Sequence, residues 1–261
     1  MSLRIVVCVK YVPDATGDRS FAEDLTTDRE SVDGLLSELD EYAVEQALRI
    51  AEEADDAEVT VVTAGPEDAG DALRKALSMG ADKAVHIEDD DLHGTDVIGT
   101  SLVLAKAAEH IGYDLVLCGM ASTDGGMGVL PALLAERLRV PQVTLLSELS
   151  VADGKVTGRR DGDAATERLQ APLPAVVSVT DQSGEVRYPS FKGIMAAKKK
   201  PVETLDLEDL DIEAEQVGLG GAWTTVLSAT ERPARTAGEI VTDEGEGGKK
   251  LAAFLAERKF V

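Results

Sequence analysis

The segment of the chain best suited to hold a ligand is GMASTDGGMG, at residues 119–128. It contains four glycines together with Ser122, Thr123 and Asp124. Glycine allows the backbone to approach a ligand closely, and the helix predicted after this segment would direct its free N–H groups toward an anion. The composition favours a nucleotide phosphate held by backbone amides, Ser122 and Thr123. The alternative is an ordinary strand-to-helix loop that needs glycine only in order to turn.

Two other short segments, CVK at residues 8–10 and AGP at residues 64–66, also follow predicted strands directly. In a doubly wound sheet, ligands bind outside the carboxyl ends of the strands, at the point where the strand order reverses. We therefore expect these two segments and the glycine-rich segment to lie at one edge of the sheet.

The sequence contains no motif of a self-contained active site. It has no P-loop GxxxxGK[ST], no GxGxxG after the first strand, no GxSxG and no HExxH. Asp14 and Glu41 are candidate acid–base residues near the same edge, but such carboxylates more often cap a turn or a helix. His86 lies in a predicted strand, where a buried neutral side chain is expected, and His93 and His110 lie at helix ends. The pattern argues against a kinase and against a conventional dinucleotide dehydrogenase.

The chain is strongly acidic. It has 261 residues and a formal net charge of −23, with 26 Lys and Arg against 49 Asp and Glu. This charge argues against nucleic-acid binding through a basic surface and against an anionic membrane surface as partner. The acidity is spread along the chain, which favours adaptation to the salt-rich cytoplasm of a halophile over a docking surface for a basic partner. Lys198-Lys199-Lys200 is a basic exception.

Cysteine usage and hydropathy indicate the compartment. No apolar run approaches the roughly 20 residues that a membrane span requires, and the N-terminal run of five apolar residues before Lys10 predicts a strand rather than a signal peptide. Cys8 and Cys118, the only cysteines, lie in apolar runs and predict free thiols in a reducing compartment. With three scattered histidines, no Cys/His metal site is expected. Together these features predict a cytoplasmic protein without membrane insertion.

Apolar runs alternate with helical patterns through the first two thirds of the chain, which predicts an α/β fold with a doubly wound, mostly parallel sheet. The predicted strands cover residues 4–9, 58–63, 83–87, 114–118 and 174–180. The predicted helices cover residues 37–52, a segment ending at 79, 95–110 and 128–138. After Pro141, residues 143–151, 155–160 and 166–169 predict a small antiparallel addition, with Asp153-Gly154 as a turn.

Two domains are predicted. A nucleotide-binding α/β domain covers residues 1–200 and includes the antiparallel strands at about 143–170. Residues 201–261 form a C-terminal arm, in which the acidic segment 205–234 wraps over another surface. An amphipathic helix is predicted at residues 249–259.

These residues also carry a resemblance to a known family. The segments VCVKYVPD, DEYAVEQAL, VTAGP, LRKALSMGADKAVHI, DLVLCG, TDG, PQVT, LPAVVSV and RYPSFKGIMAAKKKP occur in this order, and PARTAGE follows near residue 238. From the first strand to about Pro201, the chain resembles the β subunit of electron transfer flavoprotein. RYPSFKGIMAAKKK is the most specific of these segments.

The resemblance implies a Rossmann-like sheet of the adenine-nucleotide α-hydrolase type and a heterodimer with an α subunit. Such a heterodimer carries single electrons from acyl-CoA dehydrogenases of fatty acid β-oxidation and related flavoenzymes to a membrane quinone oxidoreductase. The α subunit chiefly binds the redox FAD, and this chain binds a structural AMP. In electron-bifurcating members a second FAD occupies the place of the AMP, so that alternative stays open.

The resemblance also implies a nucleotide pocket, in which Asp124 matches an Asp of the family. Met127 and Val129 stand where many members have Thr and Gln, and Ser37-Glu38 replaces the usual Asn-Pro. Backbone amides would therefore carry more of the binding here. The implied pocket consists of Cys8, Ser37, Leu39, Asp40, Ala64, Gly119, Met120, Ala121, Ser122, Thr123, Asp124, Gly125, Gly126, Met127, Gly128, Val129 and Leu130.

A partner-docking segment is implied at residues 187–200. Phe191 occupies the position of an apolar side chain that fills a pocket on the dehydrogenase, and a single aromatic anchor is a reasonable hot spot. The alternatives are a core position for Phe191 and solvated lysines in place of a cluster that touches the α subunit or a phosphate. The implied docking residues are Tyr188, Pro189, Ser190, Phe191, Ile194, Met195, Lys198, Lys199 and Lys200.

Two further alternatives come from other classes of protein. A stress-protein-like module would bind ATP as a homodimer without flavin, and the segment RYPSFKGIMAAKKK argues against it. An adenylating enzyme would need a glycine- and serine-rich loop after the first strand, where this chain has KYVP.

Overall fold

The computed structural model describes residues 2–235, 238 and 240–261, which form twelve strands and seven helices. The strands are β1 (Leu3–Cys8), β2 (Tyr11–Pro13), β3 (Gly34–Leu36), β4 (Ala57–Ala64), β5 (Lys83–Ile87), β6 (Leu115–Gly119), β7 (Gln142–Leu146), β8 (Glu148–Ala152), β9 (Lys155–Asp161), β10 (Thr166–Pro172), β11 (Ala175–Val179) and β12 (Val202–Leu205). The helices are α1 (Glu38–Glu53), α2 (Gly70–Met79), α3 (Val97–Ile111), α4 (Leu130–Leu138), α5 (Phe191–Ala197), α6 (Gly218–Gly221) and α7 (Gly247–Glu257).

Seven of the strands form the central sheet, in the order β12-β5-β4-β1-β6-β11-β7. Every pairing in this sheet is parallel. The chain passes from β1 to β4 and β5 on one side, and then returns to place β6 and β11 on the other side. The strand order therefore reverses between β1 and β6, and the prediction of a doubly wound, mostly parallel α/β sheet is confirmed.

Both faces of the sheet are covered, as a parallel sheet requires. Side chains alternate between the faces with a period of two residues, so Ile5 and Val7 face one core layer while Val6 and Cys8 face the other. The first layer contains apolar residues of α1 and α2, and the second contains those of α3 and α4. Strands rich in β-branched residues, such as AVVSV in β11, are buried throughout for this reason.

The predicted antiparallel strand at residues 143–151 is wrong, because the segment divides into two strands. Its first part, β7, pairs in parallel with β11, and its second part, β8, pairs antiparallel with β9. Leu145 has a left-handed backbone with φ of 60°, and this bend redirects the chain from one sheet to the other. The antiparallel pair β9–β10 and the Asp153-Gly154 turn are confirmed, with both turn residues at positive φ.

The residues up to Leu227 form the larger of two compact units, and two of its features were not predicted. β2 and β3, of three residues each, form an antiparallel pair that brings Ser37 back beside Lys10. β12 follows Pro201 and extends the edge of the parallel sheet beside β5. The chain divides into two compact units between Leu227 and Ser228, and β12 belongs to the first of them.

The smaller unit begins at Ser228 and contains α7. This helix runs from Gly247 to Glu257, close to the predicted residues 249–259. Asp243 accepts hydrogen bonds from the N–H groups of Gly245 and Gly247 at its start. Thr236, Ala237 and Glu239, part of the PARTAGE segment, lie outside the described residues.

Among the residues that the structure describes, no helix is both long enough and apolar enough to cross a bilayer.

Helix α5 is fixed to α2 by contacts at both of its ends. At its start, the Ser190 hydroxyl accepts a hydrogen bond from the Gly193 N–H at 3.0 Å. A Cβ atom on Gly193 would lie 2.5 Å from the Ser78 carbonyl oxygen, so this close approach requires glycine. Beyond its end, the Lys200 ammonium donates to the carbonyl groups of Leu77 and Gly80, both at 3.0 Å, and to that of Ala81. Lys200 thereby caps the C-terminus of α2.

Replacement of Lys200 by methionine is expected to lower the free energy of unfolding by about 1–3 kcal/mol, because the carbonyl groups at the end of α2 lose a charged donor. Denaturant unfolding followed by circular dichroism measures the change. Lys199→Met is the matched control, since Lys199 is exposed, and it is expected to change stability by less than about 0.5 kcal/mol. Equal effects of the two substitutions would refute the capping role of Lys200.

Candidate functional site

One buried carboxyl group, that of Asp40, lies at the point where the strand order reverses and contacts the ends of both strands that meet there. Asp40, in the first turn of α1, accepts a hydrogen bond from the backbone N–H of Lys10 at 2.9 Å. Its Oδ1 atom lies against Gly119, where a Cβ would be only 2.5 Å from that oxygen. Asp40 therefore joins the segment after β1 to the end of β6, which is a structural role.

The environment of Asp40 favours its protonated form. Burial raises the pKa of its carboxyl to about 7, although the Lys10 N–H, the Lys10 charge and the Gly119 N–H oppose the rise. Near neutral pH the group is therefore partly uncharged, and it adds little negative charge to this edge of the sheet.

Asp124 is the second buried carboxylate of the site, in the glycine-rich loop. Its side chain is 4% exposed, and it lies 2.8 Å from the ammonium of Lys10 and 2.8 Å from the guanidinium of Arg29. Burial alone would raise the pKa of Asp124, but the charge and hydrogen bond of Lys10 outweigh burial, with further help from Ser122 and Arg29, and hold the pKa well below its usual range. Asp124 is therefore an anchor for two cations.

A third cationic side chain contacts the same loop. Arg19 donates to the Thr123 carbonyl oxygen at 2.7 Å and to that of Pro13 at 3.4 Å. The sequence pattern did not indicate that the Lys10, Arg19 and Arg29 side chains belong to the site. Arg19 and Arg29 belong to the aperiodic segment between β2 and β3, and only the β2–β3 pairing brings that segment to the loop.

The glycine-rich loop presents its backbone to solvent. Residues 125–129 are exposed. The Gly125 N–H donates to Asp124 and the Gly126 N–H donates to the Ser122 carbonyl group. The N–H groups of residues 127–129 donate to no protein group within the part of the chain that the structure describes. Free N–H groups that precede helix α4 are suited to bind an anion.

The other implied pocket residues lie at the same edge of the sheet. Ala64 ends β4 and Cys8 ends β1, while residues 119–130 follow β6, and these three strands are neighbours. The Ser37 hydroxyl is buried without a hydrogen-bond partner among the described residues. Leu39 lies two residues after Ser37, and the Leu39 carbonyl oxygen would be 2.7 Å from a Cβ on Gly119. The expectation that the three strand-end segments meet at one edge is confirmed.

The two cysteines lie below this edge. Both are buried and free. Cys8 is the last residue of β1 and Cys118 is the last but one of the neighbouring strand β6, and the register of the two strands pairs Val7 with Leu117. A hydrogen bond with Cys8, together with burial, raises the pKa of the Cys118 thiol. The prediction of free thiols without a disulfide is confirmed.

The candidate acid–base residues have ordinary structural partners. Asp14 accepts hydrogen bonds from the N–H and hydroxyl of Thr16, both at 2.8 Å, as a turn-capping residue does. Glu41 lies 3.8 Å from Lys75. His86 is buried and contacts the Gly65 carbonyl oxygen at 3.0 Å, as expected for a core histidine. Among the described residues, no three or more His, Cys, Asp or Glu side chains are arranged to hold a metal ion.

The implied docking segment presents an exposed apolar surface. Phe191 is 80% exposed and Tyr188 is 94% exposed, while Ile194 and Met195 are about half exposed. The alternative that Phe191 is a core residue beneath the loop is therefore wrong. Lys198 and Lys199 are exposed, whereas Lys200 caps α2 and belongs to the framework of the segment.

Arg187, which the sequence did not single out, fixes the start of the docking segment. Its guanidinium lies 2.7 Å from Glu45 and 2.6 Å from Glu52, both on α1. Burial would raise the pKa of Glu45, but hydrogen bonds from Arg187 and Arg49 outweigh burial and lower it. This paired arrangement holds the backbone before Phe191 while the apolar side chains remain exposed.

Substitution of Gly119 by alanine is expected to lower the free energy of unfolding by about 1–3 kcal/mol, because the new Cβ would overlap Asp40 and the Leu39 carbonyl group. Gly125→Ala is the matched control in the same loop, since the nearest atom to its Cβ would be the Ser122 hydroxyl at 3.6 Å. Denaturant unfolding of both variants measures the difference. If Gly119→Ala is as stable as Gly125→Ala, the tight contact between α1 and β6 is not required.

Comparison with known proteins agrees with the geometry of this edge. The family profile described as "Electron transfer flavoprotein domain" matches residues 24–210. The chain is 52% identical over 263 residues to "Electron transfer flavoprotein subunit beta" of Mycobacterium bovis, and the match covers 98% of this chain and 99% of the relative. The protein of the same name from Mycobacterium leprae is also 52% identical, with the same coverage.

A more distant relative is the caffeyl-CoA reductase-Etf complex subunit CarD of Acetobacterium woodii. It is 34% identical over 262 residues, which cover 99% of this chain and 100% of the relative. The names of the mycobacterial relatives describe a subunit of an electron carrier rather than an enzyme. The chain therefore belongs to the electron transfer flavoprotein family, as one of its β subunits.

Proposed function

We propose that this chain holds a structural AMP at the reversal of strand order and pairs with an α subunit that binds most of the redox FAD. The observation that carries the proposal is the convergence of the implied pocket residues on one edge, where the loop N–H groups of residues 127–129 have no protein partner among the described residues. Three cationic side chains, those of Lys10, Arg19 and Arg29, contact the same loop.

The residues at this edge fit a nucleotide chemically. Within the part of the chain that the structure describes, the glycine-rich loop has free N–H donors for a phosphate, and the buried Ser37 hydroxyl has an unused donor and acceptor. Cys8 and Ala64 contribute small side chains at the ends of β1 and β4. Met127 and Val129 contribute no polar side-chain atoms, so the nucleotide would depend on backbone groups at those positions.

We further propose that the heterodimer carries single electrons from acyl-CoA dehydrogenases or related flavoenzymes to a membrane quinone oxidoreductase. FAD supplies the redox chemistry when it is bound, so this chain needs no nucleophile, acid or base of its own. Its task is to position the flavin and to dock the donor. A small anchor around Phe191 suits transient docking with several partners better than a large rigid interface would.

The part of the chain after residue 200 is proposed to pack on the α subunit. Trp223 and Leu227 are 84% and 89% exposed, and Leu251 and Phe254 of α7 are also exposed. Side chains of this size and apolar character are covered in most stable assemblies. We also propose a cytoplasmic location in a salt-rich cell, because the net charge of −23 is spread along the chain.

The nucleotide content of the heterodimer tests the AMP proposal. The chain is coexpressed with its α subunit in high salt, the purified complex is denatured, and the released nucleotides are separated and quantified. We expect one FAD and one AMP per heterodimer. Two FAD without AMP would indicate a second redox centre of the bifurcating type, and ATP from a flavin-free homodimer would refute the electron-carrier proposal.

The docking role of Phe191 is tested with Phe191→Ala in the same heterodimer. Loss of a central aromatic anchor costs about 2–4 kcal/mol, so the second-order rate of reduction by an acyl-CoA dehydrogenase is expected to fall by at least about 30-fold. Phe21→Ala is the matched control, since Phe21 is also exposed but lies between β2 and β3. FAD and AMP contents should be unchanged in both variants, and an unchanged rate for Phe191→Ala would exclude this residue as the anchor.

A further inference from the structure

The segment between β2 and β3, residues 14–33, folds as one long hairpin, although its sequence carries no periodic pattern. At its base, the Asp14 N–H donates to the Asp33 carbonyl oxygen at 3.0 Å. Nearer its tip, Phe21 and Thr27 pair as an antiparallel bridge. We call this hairpin the strap. Because both of its ends continue into the paired strands β2 and β3, the strap starts beside the carboxyl end of β1 as a single unit.

The middle of the strap is attached to the glycine-rich loop after β6. Arg19 donates to the Thr123 carbonyl oxygen at 2.7 Å. The Arg29 guanidinium lies 2.8 Å from the Asp124 carboxylate. These two arginines are the only basic residues of the strap, which has seven acidic residues. Since the strap as a whole is acidic, it is suited to cover a nucleotide rather than to attract its phosphate.

The tip of the strap is attached on the opposite side, to the loop after β5. The Asp24 carboxylate lies 2.7 Å from Nε2 of His93. The other oxygen of Asp24 accepts hydrogen bonds from the N–H and hydroxyl of Thr26, at 3.0 and 2.7 Å, which orient the carboxylate. Hydrogen bonds from His93 and Thr26 hold the pKa of Asp24 well below its usual range, so the group is ionised.

These attachments place the strap over the centre of the sheet edge. In the central sheet, β4 and β1 lie between β5 and β6. The strap contacts the loop after β6 through its middle and the loop after β5 through its tip, so residues 19–29 lie across the ends of β1 and β4. Cys8 and Ala64, which end these two strands, belong to the implied nucleotide pocket.

The attachment at the tip is the weaker of the two. Asp124, which holds Arg29, is only 4% exposed. The side chains of Asp24 and His93 are 36% and 61% exposed, and ion pairs between exposed side chains contribute little stability. Among the described residues, this contact is also the only hydrogen bond that residues 20–28 make outside the strap. The tip can therefore detach while the base and middle stay in place.

Given the AMP site proposed above, we propose that the strap closes over the nucleotide and that the Asp24–His93 contact is the latch that opens to release it. Closure of a loop over a bound ligand makes release wait for the loop to open. A closed strap thus retains a structural nucleotide through repeated cycles of electron transfer. Loss of the latch speeds AMP release, and a permanent link across it slows release.

The latch is tested by the release of radiolabelled AMP from the complete heterodimer, chased with excess unlabelled AMP. Asp24→Asn is expected to speed release about two- to fivefold, which is the effect of losing one exposed ion pair. Asp18→Asn is the matched control, because Asp18 is also an exposed carboxylate of the strap and its replacement removes the same charge. It should leave the rate of release unchanged.

A cross-link across the latch tests closure directly. Asp24→Cys and His93→Cys are combined and joined by a bis-maleimide that contains a cleavable disulfide, while the two native cysteines are buried. We expect AMP release to slow at least about tenfold when the cross-link forms and to recover when it is cleaved. The control is the same cross-link between Asp71→Cys and Arg74→Cys on α2, where the native side chains lie 2.9 Å apart, and it should leave release unchanged.

Three results would overturn the inference. Unchanged release after cross-linking at the tip would mean that AMP leaves without opening of the strap, while the AMP site itself stands. Equal acceleration by Asp24→Asn and Asp18→Asn would mean that charge, and not the latch, sets the rate. A heterodimer that holds no AMP would refute the proposed AMP site and the role of the strap together.

Discussion

The geometry of this fold depends on one buried carboxyl group at the reversal of the strand order. Asp40 connects the N-terminus of α1 with the segments after β1 and β6, and it accepts the Lys10 N–H at 2.9 Å. Burial is costly for a carboxylate, and the rise of its pKa to about 7 reflects that cost. The contact leaves no space for a side chain at Gly119. It also fixes the backbone of Lys10, so that the Lys10 side chain reaches Asp124 in the glycine-rich loop.

Asp40 and Asp124 illustrate how surroundings divide the roles of two buried carboxyl groups. Asp40 has backbone partners and its pKa rises, whereas Asp124 has two cationic partners and its pKa falls. Asp40 therefore connects segments of the chain while it carries little charge itself, and Asp124 holds two cationic side chains in place. In concentrated salt, exposed ion pairs are screened strongly, but pairs with a buried member are screened much less. The Asp124 cluster and the Arg187 contact with Glu45 are suited to hold loops under such conditions because Asp124 and Glu45 are buried.

Much of the fold could be predicted from the sequence because its signals are local. Apolar strands of four to eight residues alternate with amphipathic helices, and this alternation identifies the parallel core. The division of residues 143–151 between two sheets could not be predicted, since the two halves differ only in their distant partners. β12 was missed for the same reason: it is a short acidic strand whose place beside β5 is set by pairing across the sheet.

The candidate site could likewise be predicted only in part, because contacts between distant segments leave no local signal in the sequence. Residue types and the family resemblance identified the loop, Asp124 and the small residues at the strand ends. Neither identified Arg19 or Arg29, because a long aperiodic segment carries no signal of where its side chains will lie. Lys200 was grouped with its lysine neighbours by sequence, yet its ammonium caps α2 through three carbonyl groups. Adjacent lysines therefore differ in role, since Lys199 is exposed whereas Lys200 contacts the end of α2.

The two proposed functional surfaces of the larger unit, the nucleotide edge and the docking segment, are held in different ways, and the difference follows from their proposed tasks. The nucleotide edge is built from buried carboxyl groups, a tight glycine contact and cations with fixed partners, which suits a ligand that stays bound. The docking segment is fixed by Arg187 on α1, and by Lys200 and the close approach of Gly193 on α2, while the side chains of Tyr188 and Phe191 stay exposed. Fixed ends reduce the entropy lost when the exposed side chains meet a partner. A small, preorganised apolar anchor therefore allows specific docking without the large buried area that would slow release of the partner.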